Sequence, residues 1–264
     1  MKGALYIETE GQGPGLVLLH GWGLHGGIWD TLMPRLTPHL RVTRVDLPGH
    51  GHSRAVPMSE SLSELAAQLL DALPADAVWL GWSLGGLVAL QAALTAPQRL
   101  RGLVLANSTP RFITGPGWTE AMPPEQLQGF ATGLSHEYRE TLLRFLSLQV
   151  QGEESARAAL RQLRGSLFDR GEPDTASLTA GLTLLQQSDL RARLKDVVVP
   201  TLLMAGTHDR LTPPGATDAM AQAIAGVRLQ IFPKSAHAPF ISHPEEFSAA
   251  LLEFVQSLPA RRVA

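Results

Sequence analysis

Short apolar runs alternate with helix-length amphipathic segments along most of this 264-residue chain, and that pattern leaves few folds open. Runs such as 77–82 and 100–108 are apolar throughout instead of alternating with polar residues. The intervening segments 61–73 and 84–97 have the apolar spacing of helices. Strands that are apolar on both faces and separated by helices predict a parallel sheet covered on both sides. We therefore expect an α/β fold.

The carboxyl edge of such a sheet is where reactive loops gather. The predicted strands cover 15–21, 77–82, 100–108, 197–206 and 227–232, and a further strand opens the segment 41–53. The predicted helices cover 61–73, 84–97, about 214–225 and 244–257, with Ser61 or Ser63 as the cap of the first. The residues that follow each strand are therefore the first candidates for a site.

The alternation stops between residues 110 and 190, where no strand pattern is visible. This stretch opens with turn formers and continues with helical segments such as 137–150 and 154–168. Because it is inserted between two sheet strands, we expect it to form a helical cap over the carboxyl edge. The predicted organisation is an α/β core of residues 1–109 and 190–264, and a helical cap segment of residues 110–189.

Composition narrows the class of protein. Hydrophobic residues make up 44% and charged residues 17%, as in globular chains, and the net charge of -2 does not suit a nucleic-acid binder. The chain has no cysteine, which excludes thiol nucleophiles and disulfides. No run approaches the roughly 18 apolar residues of a membrane span. We expect a cytoplasmic monomer that binds neither membranes nor nucleic acid.

Residues 81–85 read GWSLG and match the G-x-S-x-G pattern between a predicted strand and a predicted helix. In this context the pattern forms a sharp turn that exposes the serine, and glycines on either side avoid steric collisions. The structural alternative is a glycine-rich turn with an incidental serine. The position of Ser83 after a buried strand favours a nucleophile.

A serine nucleophile needs a base that is itself oriented by a third group. His237 lies on a loop after the last predicted strand, and Asp209 follows the strand before it. The order Ser83, Asp209, His237 is the one found in hydrolases with this kind of turn. Taken alone, Asp209 would be a helix cap or a turn residue. After the preceding strand the corresponding place holds Asn107, which cannot supply the charge.

Acyl transfer also requires donors for a tetrahedral oxyanion. The amide after the nucleophile, that of Leu84, and the amide of Trp22 in the HGWG segment at 20–23 are placed for this role. His20 is expected to brace that loop, and residues 46–53 to shape the edge of the site. His50 and His52 with Asp46 could hold a cation on paper, but no established zinc-ligand pattern is present. We therefore expect neither a metal nor a cofactor.

Five segments together resemble the α/β-hydrolase superfamily and, within it, the pimeloyl-[acyl-carrier protein] methyl ester esterase family of biotin synthesis. They are LVLLHGWGLHGGIWD, VDLPGHGHSR, WLGWSLGGLVALQ, RFLSLQVQG and KSAHAPFISHPEEF. The resemblance runs from about Gly11 to Phe254. It implies a serine carboxylesterase that works through an acyl-enzyme, with Ser83, Asp209 and His237 as its triad.

The same resemblance implies where substrate and partner bind. Its substrate-contacting positions match Trp22, Ser83, Leu84, His237 and the cap run Phe145, Leu146, Ser147, Leu148 and Gln149. It also implies contact between cap arginines and the acidic acyl carrier protein, at positions matching Arg144, Arg157 and Arg161. A fourth such arginine is replaced by Glu140.

The residues themselves leave alternatives open. Arg157, Arg161 and Arg164 are spaced to share one helix face, which could steer an acidic partner or be an ordinary solvated face. Phe145 and Leu148 could cover the site or pack the cap, and Trp82 could line an acyl pocket or fill the core. The rival functions are a broad short-chain carboxylesterase, a carbon–carbon bond hydrolase with the same triad, and a non-catalytic ligand-binding protein.

Overall fold

A mostly parallel seven-stranded sheet is found among residues 3–153 and 156–259, the parts of the chain that the computed structural model describes. Its strands are β1 Ile7–Glu10, β2 Gly15–Leu19, β3 Arg41–Val45, β4 Ala77–Trp82, β5 Leu100–Ala106, β6 Thr201–Gly206 and β7 Arg228–Phe232. Their order across the sheet is β1-β3-β2-β4-β5-β6-β7. Strand β1 is antiparallel to β3, and the other neighbours are parallel. The predicted α/β fold is confirmed.

Helices connect the strands and cover both faces of the sheet. They are α1 Met33–Leu36, α2 Leu62–Ala72, α3 Leu84–Thr95, α4 Pro124–Leu134, α5 Tyr138–Gln149, α6 Ala156–Ser166, α7 Thr175–Gln187, α8 Pro214–Ala223, α9 Pro239–Ser242 and α10 Pro244–Ser257, with short 3-10 helices at Gly26–Trp29, Gly51–Ser53, Pro97–Arg99 and Arg191–Asp196. No helix in the described ranges is both long enough and apolar enough to span a bilayer.

The burial pattern explains why these segments adopt these structures. Strand β4 lies in the middle of the sheet and is buried along its whole length, as its uniformly apolar sequence predicts. Helix α10 buries Phe247, Leu251 and Val255, which are four residues apart and therefore share one face. The side chain of Ser61 accepts a hydrogen bond from Glu64 N and caps α2, so of the two predicted cap residues Ser61 is the correct one.

Two sheet predictions need correction. Strand β1 was missed because its sequence IETE is short, polar and half exposed at the edge of the sheet. Strand β6 begins at Thr201 and not at residue 197, because Pro200 has no N–H for a sheet ladder and Val198 is 74% exposed. The apolar sequence alone does not distinguish the partly exposed residues 197–200 from the buried strand that follows them.

The segment between β5 and β6 contains helices α4 to α7. Its described residues include no strand, only isolated bridges between Ile113 and Met122 and between Gly115 and Trp118. Helices α5 and α6 lie where helical spacing predicts them, whereas α4 and α7 were not identified individually from the sequence. The glycines and polar residues of α4 and α7 weaken the apolar periodicity on which such predictions depend.

The connection from β4 to α3 brings backbone segments closer together than side chains would allow. A Cβ atom on Gly81 would lie 2.2 Å from the carbonyl oxygen of Gly85. A Cβ atom on Gly85 would lie 2.5 Å from the carbonyl oxygen of Leu19, on the neighbouring strand β2. Both contacts are shorter than atoms tolerate, so this turn requires glycine at both positions.

We predict that Gly81→Ala lowers the free energy of unfolding by about 2–3 kcal/mol or more, because the methyl group must displace backbone. Gly129→Ala in α4 is the matched control, since no atom lies within 4 Å of its added Cβ. That change should raise the stability by up to about 1 kcal/mol. Urea unfolding of both variants measures the difference, and equal midpoints would contradict the steric explanation.

Candidate active site

Ser83 lies at the sharp turn between β4 and α3, at the carboxyl edge of the sheet. Its φ is 55° and its ψ is -119°, a conformation that a non-glycine residue adopts only at a strained turn. The turn is held by hydrogen bonds from Ser83 N to Ala106 O at 3.2 Å and from Ser108 Oγ to Ser83 O at 2.8 Å. Ser83 is 4% exposed, so the hydroxyl lies beneath other parts of the protein.

Asp209 and His237, which are predicted as acid and base, are in direct contact. His237 Nδ1 lies 2.8 Å from Asp209 Oδ2. An ionised carboxylate can only accept, so Nδ1 carries the proton and the other ring nitrogen, Nε2, is left to exchange one. This Nε2 is buried and makes no hydrogen bond within the described residues.

Ser83 is linked to this pair through its neighbour Trp82, but its hydroxyl is not hydrogen-bonded to His237. Trp82, which precedes Ser83, donates its indole N–H to the carbonyl oxygen of His237 at 2.7 Å. Within the described ranges, no hydrogen bond joins the Ser83 hydroxyl to His237. Serine–histidine contacts often tighten only when substrate binds. Trp82 itself is fully buried and lies edge-on against Phe240, so it fills core behind the histidine.

The carboxylate of Asp209 is surrounded by donors. Its Oδ1 accepts the N–H groups of Leu211 and Thr212 at 2.8 and 3.0 Å, and its Oδ2 accepts the Thr212 hydroxyl at 2.5 Å in addition to His237. Burial acts to raise the pKa of Asp209, but the electrostatic attraction of His237 and the side-chain hydrogen bonds from His237, Thr212 and Asn107 outweigh burial and lower it. Asp209 therefore stays ionised although it is buried.

Asn107 is a further hydrogen-bond donor to the Asp209 carboxylate, a role that the sequence did not reveal. It follows β5, and its Nδ2 donates to Asp209 Oδ2 at 2.7 Å. From the sequence we considered Asn107 only as a place where the acid could have stood. The available signal was its position, because the carboxyl ends of the adjacent strands β5 and β6 must lie side by side.

The two amides predicted to bind an oxyanion are available. Trp22 and Leu84 are both buried, and neither backbone N–H donates a hydrogen bond to any described part of the chain. Leu84 is the first residue of α3, where amide groups have no partner within the helix. The Trp22 side chain is fixed separately, because its Nε1 donates to Leu178 O in α7 at 2.8 Å.

Two members of the predicted substrate run on α5 contact the loops that carry Trp22 and His237. Phe145 is buried edge-on against Trp22, with ring centroids 4.9 Å apart. The carbonyl oxygen of Gln149 accepts the backbone N–H of His237 at 2.9 Å. Leu146 is buried and Ser147 Oγ donates to Leu143 O in its own helix. One end of α5 is therefore attached directly to the loop that holds His237.

A cavity of about 760 Å³ lies among α4, α5 and α6 instead of at the serine. Arg144, Ser147 and Leu148 are among its lining residues, whereas Ser83, Asp209 and His237 are not. Most of its lining is apolar, including Phe130, Leu143 and Val150. This apolar groove is therefore separate from the buried group of Ser83, Asp209 and His237.

The candidate carrier-binding arginines are exposed. Arg144, Arg157 and Arg161 all face solvent, and none of them forms an ion pair with another described residue. Arg139 differs, because it pairs with Glu172 and lies 5.1 Å from the Phe168 ring centre. Among the described residues, Arg139 is thus paired with an acidic residue, unlike the three candidate arginines.

The histidines near the early loops are used as braces. His20 Nε2 accepts Leu47 N–H at 2.9 Å, and its Nδ1 donates to Gly21 O at 2.8 Å. His50 Nε2 accepts Gly23 N–H at 3.2 Å. Burial lowers the pKa of His50 to about 4, and burial followed by the charge of His50 lowers the pKa of His20 well below its usual value. The predicted bracing role of His20 agrees with these contacts.

The acidic residue of the same loop is also occupied by backbone donors. Asp46 accepts Gly26 N–H at 2.7 Å and His52 N–H at 2.8 Å, and it pairs with Arg170 at 3.2 Å. Across residues 3–153 and 156–259, no group of three or more His, Asp and Glu side chains is arranged to hold a metal. The loop 46–53 therefore shapes the edge of the site by hydrogen bonding.

His50 should make stability depend on pH. Its pKa is about 4 when folded and about 6.5 when unfolded, so its contribution is complete above pH 6.5 and is lost as the pH falls towards 4. We expect this group to account for a loss of about 3 kcal/mol across that window. His50→Asn should be less stable at pH 7 but should lose less on acidification. Urea unfolding at several pH values measures this, and parallel pH profiles would contradict it.

Comparison with known proteins identifies the family. The sequence profile of the Alpha/beta hydrolase family matches residues 16–250. The pimeloyl-[acyl-carrier protein] methyl ester esterase of Photobacterium profundum is 45% identical over 256 residues, covering 97% of this chain and 100% of that protein. The protein of the same name from Xanthomonas oryzae pv. oryzae is 46% identical over 255 residues, with the same coverage of each chain.

The fold comparison agrees. The crystal structure of a hydrolase from Pseudomonas aeruginosa superposes with a TM-score of 0.80 at 30% identity, covering 96% of this chain and 94% of that one. The motifs around Ser83 and His237, the mostly parallel sheet and the near full-length identity all lead to the same assignment. This chain belongs to the alpha/beta hydrolase family and, within it, to the family of pimeloyl-[acyl-carrier protein] methyl ester esterases.

Proposed function

We propose that this protein is a serine carboxylesterase that hydrolyses the methyl ester of a pimeloyl group carried on acyl carrier protein, a step of biotin synthesis. The observation that carries the proposal is 45% identity over 97% of the chain to a relative with that name. The buried contact between Asp209 and His237 supports the chemistry, since an oriented histidine is what a serine nucleophile requires.

In the first half-reaction His237 Nε2 accepts the hydroxyl proton of Ser83 as the serine oxygen attacks the ester carbonyl carbon. Asp209 holds Nδ1–H and stabilises the imidazolium that forms. The oxyanion of the tetrahedral intermediate accepts the amide N–H groups of Trp22 and Leu84. Collapse breaks the bond to methoxide, which takes the proton from His237 and leaves as methanol. The pimeloyl chain is then esterified to Ser83.

In the second half-reaction water replaces the alcohol. His237 Nε2 takes a proton from water as its oxygen attacks the acyl-enzyme carbonyl, and the same two amides hold the second oxyanion. Ser83 recovers its proton from His237, and the acid is released. Every proton transfer uses Nε2, and this nitrogen has no other partner among the described residues. The scheme needs neither metal nor cofactor.

We further propose that residues 110–189 act as a cap over a core of residues 1–109 and 190–264, and that the cap binds the substrate. Phe145, Leu146, Ser147, Leu148 and Gln149 are its proposed substrate contacts. The contact of Phe145 with Trp22 and the cavity lined by Ser147 and Leu148 support this role. The mostly apolar lining suits a methylene chain better than a charged ligand.

Ser83→Ala should abolish hydrolysis of the pimeloyl-[acyl-carrier protein] methyl ester, because no other group can form the acyl-enzyme. Conversion is followed by the change in mass of the acyl carrier protein when its methyl ester is hydrolysed to the free acid. The melting temperature of the variant serves as the folding control. Turnover by a folded Ser83→Ala protein would contradict the serine mechanism.

The basic face of α6 provides a test of the carrier-protein substrate. The double variant Arg157→Glu, Arg161→Glu should lower kcat/KM for the carrier-bound ester by about tenfold or more, because both charges face solvent and steer an acidic partner. Hydrolysis of a small free methyl ester should be unchanged. The salt dependence of kcat/KM for the carrier-bound ester should weaken at the same time.

A matched control reverses the same charge elsewhere. Arg41 and Arg228 are exposed residues that begin β3 and β7, at the amino edge of the sheet and therefore opposite the site. Arg41→Glu with Arg228→Glu should leave kcat/KM for both substrates near that of the unmodified enzyme. If the α6 double variant also retains full activity on the carrier-bound ester, the alternative of a broad short-chain carboxylesterase is favoured.

A further inference from the structure

Asn107 connects the two loops on which the proposed acid and base lie. Its side-chain amide donates one hydrogen to Asp209 Oδ2 at 2.7 Å and the other to Ala236 O at 3.1 Å, and Ala236 directly precedes His237. Both N–H groups of the Asn107 side chain therefore donate a hydrogen bond, each to a different loop. The carboxylate and the histidine loop are held to the end of β5 by the same planar group.

The backbone of Asn107 is fixed in an unusual conformation. Its φ is 44°, in the left-handed region that asparagine tolerates better than most residues. Asn107 N donates to Met204 O of β6 at 2.8 Å, which attaches this conformation to the sheet. The residue is 1% exposed, and its Oδ1 has no hydrogen-bond partner in the described ranges. The strained backbone and the unpaired buried oxygen both lower the stability of the fold. A contact that served stability alone would need neither of them.

We infer that Asn107 is a positioning residue for the esterase reaction, which sets the orientation of the Asp209 carboxylate and the placement of the His237 loop relative to each other. This inference rests on the proposed function of the Ser83, Asp209 and His237 group. Thr212 also donates to Asp209, but it lies three residues away on the same loop and cannot fix that loop relative to His237. The Asn107 amide is the donor that joins three chain segments.

Two substitutions separate positioning from stability. Asn107→Ala removes both donated hydrogen bonds. Asn107→Asp keeps the size of the side chain but replaces the amide donor with an oxygen beside an existing carboxylate. Thr201→Val is the control: Thr201 is 2% exposed, lies on β6 at the far end of the same strand pair, and loses one buried hydrogen bond to Val199 O.

Asn107→Ala should lower kcat for the pimeloyl-[acyl-carrier protein] methyl ester by about 10- to 100-fold with KM within about twofold, because misplacement of a catalytic group slows the chemical step. The rate at which a fluorophosphonate labels Ser83 should fall by a similar factor. Asn107→Asp should also lower kcat. Two buried carboxylates this close are not both ionised, so one of them takes up a proton and the hydrogen bonding around Asp209 changes.

Thr201→Val should lower the melting temperature without changing kcat or the labelling rate. The inference is overturned if both Asn107 variants are folded and keep the kcat and labelling rate of the unmodified enzyme, with only a loss of melting temperature like that of Thr201→Val. If the unmodified enzyme is labelled at Ser83 but does not cleave the pimeloyl ester, the proposed substrate is wrong. The labelling rates of the Asn107 variants then still decide the role of Asn107.

Discussion

The close approach of β4, α3 and β2 at Ser83 is the constraint on which the rest of the site depends. Gly81 and Gly85 lie against backbone oxygens at distances that exclude any side chain, and the turn between them holds Ser83 at a positive φ. Because β4 is central in the sheet, this turn fixes the serine relative to every loop that follows a neighbouring strand. The strain at Ser83 is offset by the buried core on both sides of the sheet.

The structure must also keep the buried carboxylate of Asp209 ionised. Asp209 would hold a proton in an apolar interior, and five donated hydrogen bonds from four residues keep it ionised instead. Two of the donors are backbone amides of its own loop, which arise locally. The others come from Thr212, His237 and Asn107, so the charge is maintained only when β5, β6 and the His237 loop have assembled. The state of the acid is thus a property of the folded protein.

Residues 110–189 are hydrogen-bonded to the loops that carry Trp22, His208 and His237. His237 N donates to Gln149 O, His208 Nδ1 donates to Gly152 O at 2.7 Å, and Trp22 Nε1 donates to Leu178 O. A displacement of α5 or α7 would therefore disturb the proposed base or the proposed oxyanion loop. Sequence reasoning identified α5, but spacing along a helix says only which face is apolar and not which loop that face meets.

The sequence by itself determined the α/β class, the buried parallel strands and the turn at Ser83, because apolar runs and paired glycines act locally. It also determined the candidates Asp209 and His237, since residues after parallel strands share one edge. It did not predict the polar edge strand β1, the start of β6 or the bridge made by Asn107. Their properties depend on what packs beside them. Only the tertiary structure brought Asn107, Asp209 and Ala236 together, because these residues are far apart in the chain and a hydrogen bond requires contact in space.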